Sequence, residues 1–184
     1  MLEAFLVSTG VVALAEMGDK TQLLALLLAA RYRRPVPIVL GIAAATLANH
    51  ALAAAFGGWL ATLTGPQVLR WLLAASFAAM GAWMLFPDSA SDFERSRRLG
   101  VFGTTLLAFF LVEIGDKTQI ATVALAARYA FLPAVVAGTT LGMLIANVPV
   151  VYAGERLLQR LPMKLLRRVA AAAFVALGVL ALVA

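Results

Sequence analysis

The seven residues EMGDKTQ at 16–22 recur as EIGDKTQ at 113–119, each time in the middle of an apolar run. Shifted by 97, residues 16–32 match residues 113–129 at 11 of 17 positions. The register continues through Gly41/Gly138, Gly57/Gly154, Leu69-Arg70/Leu166-Arg167, Phe77/Phe174 and Gly81/Gly178. Such a chain folds as two similar halves or not at all. With 63% hydrophobic residues, 13% charged and a mean hydropathy of +0.95, it has too little charge to cover a water-soluble surface. It reads as an integral membrane protein.

A spanning helix needs about 20 apolar residues. The 184 residues divide into six such segments, about 2–30, 36–61, 67–86, 100–129, 133–156 and 165–183. The stretches between them (RYRRPVP, TLTGPQ, FPDSASDFERSRRLG, RYAFLP, QRLPMK) carry the Pro, Gly and charge of turns. The expected fold class is all-α, a polytopic membrane protein of about six transmembrane helices. Residues 1–86 form a first three-helix repeat, 87–99 a cytoplasmic linker, and 100–184 a second three-helix repeat. An odd number of crossings per copy inserts the second copy upside down. That is the inverted-topology architecture of many secondary transporters, whose sites lie near midplane where the halves meet.

The basic residues set the expected orientation. Arg31, Arg33, Arg34, Arg95, Arg97, Arg98, Arg156, Arg160, Lys164, Arg167 and Arg168 fall on one side, and only Arg70 and Arg128 on the other. The richer side is cytoplasmic by the positive-inside rule, which leaves both termini outside. No Lys or Arg precedes Lys20, so the first segment lacks a signal peptide's basic start and is expected to be retained. The net charge of +6 sits in short clusters between apolar runs, which argues against a nucleic-acid partner. With no cysteine, disulfides, thiolate metal sites and thiol catalysis are excluded.

Ionisable groups at midmembrane are expensive and face a partner or a watery cavity. Read as continuous helices, the motifs put Glu16, Asp19, Lys20 and Gln22, and likewise Glu113, Asp116, Lys117 and Gln119, on single polar faces. Gly18 and Gly115 permit close approach or a bend there. Inversion turns the two faces toward each other. Four carboxylates and two lysines sum to −2, the charge that one divalent cation neutralises. With the Thr21 and Thr118 hydroxyls and the Gln22 and Gln119 amides the donors are hard oxygens, suited to Mg2+, Ca2+ or Mn2+. Without metal, acids crowded in a low dielectric take up protons, so metal and protons compete for the same oxygens. The structural alternative is a Glu16–Lys20 helix pair in the favoured order, which accounts neither for Asp19 nor for the repeated Thr-Gln. Lys20 and Lys117 are either counter-ions of the site or face a cavity.

Asn49 and His50 lie near the centre of the second segment, and the repeat sets Asn147 opposite His50. They line the pathway, with a His50 nitrogen favouring Mn2+ over Ca2+, or they make interhelical hydrogen bonds; both readings stand. An intramembrane metal-dependent enzyme such as a lipid phosphatase is the alternative function. It would need a nucleophile or an Arg clamp beside the acids. Ser8, Ser76, Ser89, Ser91 and Ser96 all lie outside the motifs and neither motif contains Arg, so no enzymatic activity is expected.

The doubled E-φ-G-D-[KR]-[ST] pattern, in a small chain of about six helices, resembles the Gdt-type cation exporter family, which includes bacterial manganese exporters. Both motifs match in full, and the likeness covers essentially the whole chain. The resemblance implies a secondary active transporter that exports divalent cations, Mn2+ first and Ca2+ as the alternative, in exchange for protons. It implies Glu16, Asp19, Glu113 and Asp116 as the metal-site acids. The expected partners are the metal ion and the lipid bilayer of a bacterial inner (plasma) membrane, with no prosthetic group. Six short helices either suffice alone or pair as a homodimer.

Overall fold

The computed structural model describes residues 1–83, 85, 99–154 and 163–183. Among these the chain is all-helical, with eight α-helices. In chain order they are α1 (Leu2–Glu16), α2 (Lys20–Tyr32), α3 (Pro35–Leu63) and α4 (Pro66–Trp83), then α5 (Gly100–Glu113), α6 (Lys117–Arg128), α7 (Leu132–Ala153) and α8 (Met163–Val183). The expected linker at 87–99 lies, except for Leu99, outside the described residues.

Two of the expected continuous helices are broken. The first segment is α1 and α2 separated at Met17–Asp19, and the fourth is α5 and α6 separated at Ile114–Asp116. The cause is local. Gly18 and Gly115 have φ of 82° and 75°, left-handed backbone that a right-handed helix does not continue through. Asp19 and Asp116 follow in extended conformation as the N-caps of α2 and α6. Three residues on, the Oε1 atoms of Gln22 and Gln119 accept from the backbone N–H of Gly18 and Gly115 at 2.8 and 2.7 Å. D-K-T-Q is thus a form of capping box, with the glutamine reaching one residue past the cap. The single polar helical face therefore does not form, and Lys20 pairs with Asp116 instead of with Glu16.

Packing interlocks the halves. α1 lies against α7 and its repeat counterpart α5 against α3; α3 also packs on α6, and α7 on α2. Glycines allow these approaches: a Cβ on Gly57 would stand 2.2 Å from the Val123 carbonyl oxygen, and one on Gly138 2.5 Å from that of Phe5. α3 crosses α5 at Gly41, beside Thr105, and α6 at Gly57, beside Val123. Its middle, Thr46 to His50, therefore lies level with the α5–α6 break. By the same logic α7 crosses α1 at Gly138 and Gly142 and brings Asn147 level with the α1–α2 break. α4 and α8 pair with each other, with Phe77 and Phe174 ring centroids 6.3 Å apart, and also pack on α6 and α1 respectively.

α3 and α7 are each long and apolar enough to cross a bilayer. Leu40, Leu47, Phe56, Trp59, Trp71 and Ile145 lie exposed on the outside, while the four motif acids are buried. That distribution is the reverse of a water-soluble protein's.

Candidate metal centre

Each break ends one half-helix with a glutamate and begins the next with an aspartate. Glu16 and Glu113 close α1 and α5, whose C-terminal ends carry the negative pole of the helix dipole. Thr21, in the first turn of α2, donates its hydroxyl back across the break to Glu16 Oε2. Thr118 does the same to Glu113 Oε2 at 3.1 Å and also reaches Asp116 Oδ2 at 3.3 Å. One oxygen of each glutamate is thereby fixed. The other, Oε1 of Glu16 and of Glu113, is buried with no hydrogen-bond partner among the described residues.

The lysines cross between the halves. Lys20 Nζ sits 2.8 Å from Asp116 Oδ1, and Lys117 pairs with Asp19. Both lysines are thus counter-ions, each belonging to the opposite half's aspartate. The burials differ: the Lys20 side chain is 22% exposed and that of Lys117 only 3%.

Three of the four acids converge. Glu16, Asp19 and Asp116 each offer an oxygen within 4.8 Å of the other two, and all three are buried. Oxygens on one Mg2+ or Ca2+ lie about 2.0–2.6 Å from it, and so no more than about 4–5 Å apart. The cluster is compatible with a shared hard cation. Glu113 stands outside this triangle but within electrostatic reach of Asp19, Asp116 and Glu16.

Around the acids, Gln22 Nε2 donates to the Ala146 carbonyl of α7 at 2.9 Å, and Asn49 Nδ2 to the Phe110 carbonyl of α5 at 3.0 Å. Asn147 Nδ2 bonds within its own helix to Met143 O, at 3.1 Å, and its Oδ1 has no partner among the described residues. His50 is fully buried, with neither ring nitrogen hydrogen-bonded among the described residues. The interhelical hydrogen bond therefore belongs to Asn49 and not to His50. The Ala146 and Phe110 carbonyls were not legible as contacts, because backbone acceptors carry no residue signature. The breaks themselves had a signal, Gly-Asp followed by Gln three residues after the Asp.

The family model described as divalent cation/proton antiporter GDT1 matches residues 4–92 and 101–184, one stretch in each half. The chain belongs to this family. Its relatives include a Vibrio cholerae protein named "Putative manganese exporter", 51% identical over 175 residues that cover 95% of this chain and 88% of that one. A GDT1-like protein of Synechocystis is 29% identical over 180 residues, 84% of each chain. No solved structure gives a match. Membership makes the chain a membrane-integral cation transporter, and the GDT1 description supplies the proton as the exchanged ion.

Proposed function

We propose that the chain exports Mn2+, with Ca2+ as a weaker cargo, by exchange with protons at a site made by both motifs. The observation that carries this reading is the buried triangle of Glu16, Asp19 and Asp116, drawn from both halves and bridged by crossed lysines. Mn2+ as cargo is supported by the name of the Vibrio cholerae relative together with the all-oxygen donors. Glu113 joins as the fourth acid, through the oxygen that Thr118 leaves unbonded. When metal enters, the lysines withdraw from Asp19 and Asp116; when it leaves, protons and lysines restore balance to the carboxylates.

The architecture in this reading is two three-span repeats of inverted topology, residues 1–86 and 100–184, each with its first span broken at the motif. Its support is the matching order of elements on either side of residue 97 and the reciprocal packing of α1 on α7 and α5 on α3. The distribution of basic residues supports a linker side facing the cytoplasm of a bacterial cell, with both termini outside. Everted membrane vesicles test the function. An acid interior should drive Mn2+ uptake, with the lumen becoming more alkaline as metal enters. Mn2+ flux indifferent to the pH gradient rules out proton exchange, and Mn2+ movement unchanged by Glu113→Gln removes the fourth acid from the site.

A further inference from the structure

The two motifs are nearly identical in sequence, and in both the glutamine Oε1 closes the break on a glycine N–H. The other end of the glutamine differs between the halves. Gln22 is buried, and its Nε2 is docked on the Ala146 carbonyl of α7. The repeat places Asn49 of α3 where Ala146 stands, so the equivalent bond would run from Gln119 Nε2 to the Asn49 carbonyl. Among the described residues that bond is not made, and Gln119 is only half-buried. In its place a cavity of about 330 Å³ opens between α3 and α6, lined by Leu52, Ala53, Phe56, Gln119, Ile120 and Val123.

The matching cleft in the other half, about 460 Å³ and so the larger, lies between α2 and α7, lined by Leu26, Ala30, Val151 and Gly154 among others; the difference is in reach, because it does not extend to Gln22. One cleft therefore runs to the residue that closes a motif, and the other stops a helical turn short of it. We propose that Gln22 and Gln119 are reciprocal latches between the halves. The structure holds Gln22 shut on α7 and Gln119 released from α3. In the alternate state Gln119 docks on the Asn49 carbonyl, Gln22 lets go of Ala146, and the cleft at Leu26 deepens to the first motif.

The open cleft lies toward the Leu63 end of α3 and the Arg128 end of α6, the side with few basic residues. In the orientation given above this is the outside. The inference rests on the transport reading for its purpose, but its geometry does not depend on which cation is carried.

The chain has no cysteine, so single-cysteine reporters work without background. Leu26 and Val123 are repeat counterparts that line the two clefts. Leu26→Cys and Val123→Cys are each combined with Gln22→Leu or Gln119→Leu in the full-length protein in membranes. Labelling by a small water-soluble maleimide is then followed. In the parent background Val123→Cys should label faster than Leu26→Cys. Gln22→Leu should raise labelling at 26 and lower it at 123, and Gln119→Leu should do the reverse. Each variant also loses the cap bond to its glycine N–H, equally in both halves; the one latch bond beyond it biases such an equilibrium about fivefold.

Opposite shifts are the signature of a latch. Shifts in the same direction, or no shift from either variant, overturn the proposal, as does a Val123→Cys that labels no faster than Leu26→Cys in the parent. Mn2+ uptake into vesicles by the same variants separates the two readings. Opposite labelling shifts in a protein that moves no Mn2+ would keep the latch and remove the cargo assignment.

Discussion

The α4–α8 pair and the motif centre are both products of the same repeat, yet only one of them is symmetric. In the pair, Phe77 meets its counterpart Phe174, and Gly81 and Gly178 each lie where a Cβ would stand 3.2 Å from a carbonyl oxygen of the facing helix. At the centre, Lys117 is buried where Lys20 is partly exposed, and Gln22 is docked where Gln119 is not. Apolar packing has a single best distance and both halves reach it. A polar centre built from half-helices can exchange one set of hydrogen bonds for another, and the latch proposed above is such an exchange. In the latch proposal the symmetric region is the frame, and the asymmetric region is the part that moves.

The largest expected effects come from the acids. Glu16→Gln, Asp19→Asn, Glu113→Gln or Asp116→Asn should each reduce Mn2+ efflux to background while the protein still inserts, checked by metal efflux and membrane fractionation. Asp19→Asn removes the carboxylate charge paired with the buried Lys117, a defect of about 3–5 kcal/mol. Asp116→Asn strands the more exposed Lys20 and should destabilise less. Thermal unfolding in detergent measures the difference, and equal losses would break the asymmetry. Asp19→Asn with Lys117→Gln should recover stability but not efflux.

Phe77→Ala tests the frame. It should cost about 3–5 kcal/mol of stability and leave metal affinity unchanged. Next in size, Gly57→Ala forces α3 off α6 and should cost about 1–3 kcal/mol, read as a lowered unfolding temperature. Gly81→Ala and Gly178→Ala should instead cost equal amounts, within about 0.5 kcal/mol of each other. His50→Asn gives α3 the residue that α7 carries at Asn147. It should lower the preference for Mn2+ over Ca2+ a few-fold in competition uptake, with total transport retained.

Much of this was legible in the sequence. The repeat, the four acids and their hard-oxygen chemistry follow from EMGDKTQ and EIGDKTQ, and membership of the family bears out the cation-exporter reading. The helix breaks were hidden because apolar residues flank both motifs without interruption, and hydropathy registers composition, not backbone direction. Gly18-Asp19 with Gln22, read as a cap, would have revealed them. The crossed pairs were hidden for a different reason. Glu16 and Lys20 stand four apart in the order that favours a helix pair, and only the break at Gly18 takes that option away. The difference between Gln22 and Gln119 cannot be read from the motifs, because the two side chains are chemically identical.

The crossed lysines have an electrical consequence as well. In the exchange proposed above, the four carboxylates and the two lysines stay within the centre whether or not they are paired, so its fixed charge is −2 throughout. One divalent ion would bring it to zero on the way out, and two protons would do so on the way back. Moving a unit charge across 100 mV is worth about 2.3 kcal/mol, and a centre that crosses neutral on both legs escapes that term. Exchange by such a centre is therefore expected at the same rate in polarised and depolarised vesicles, with the acidity difference alone setting how steep a metal gradient is sustained.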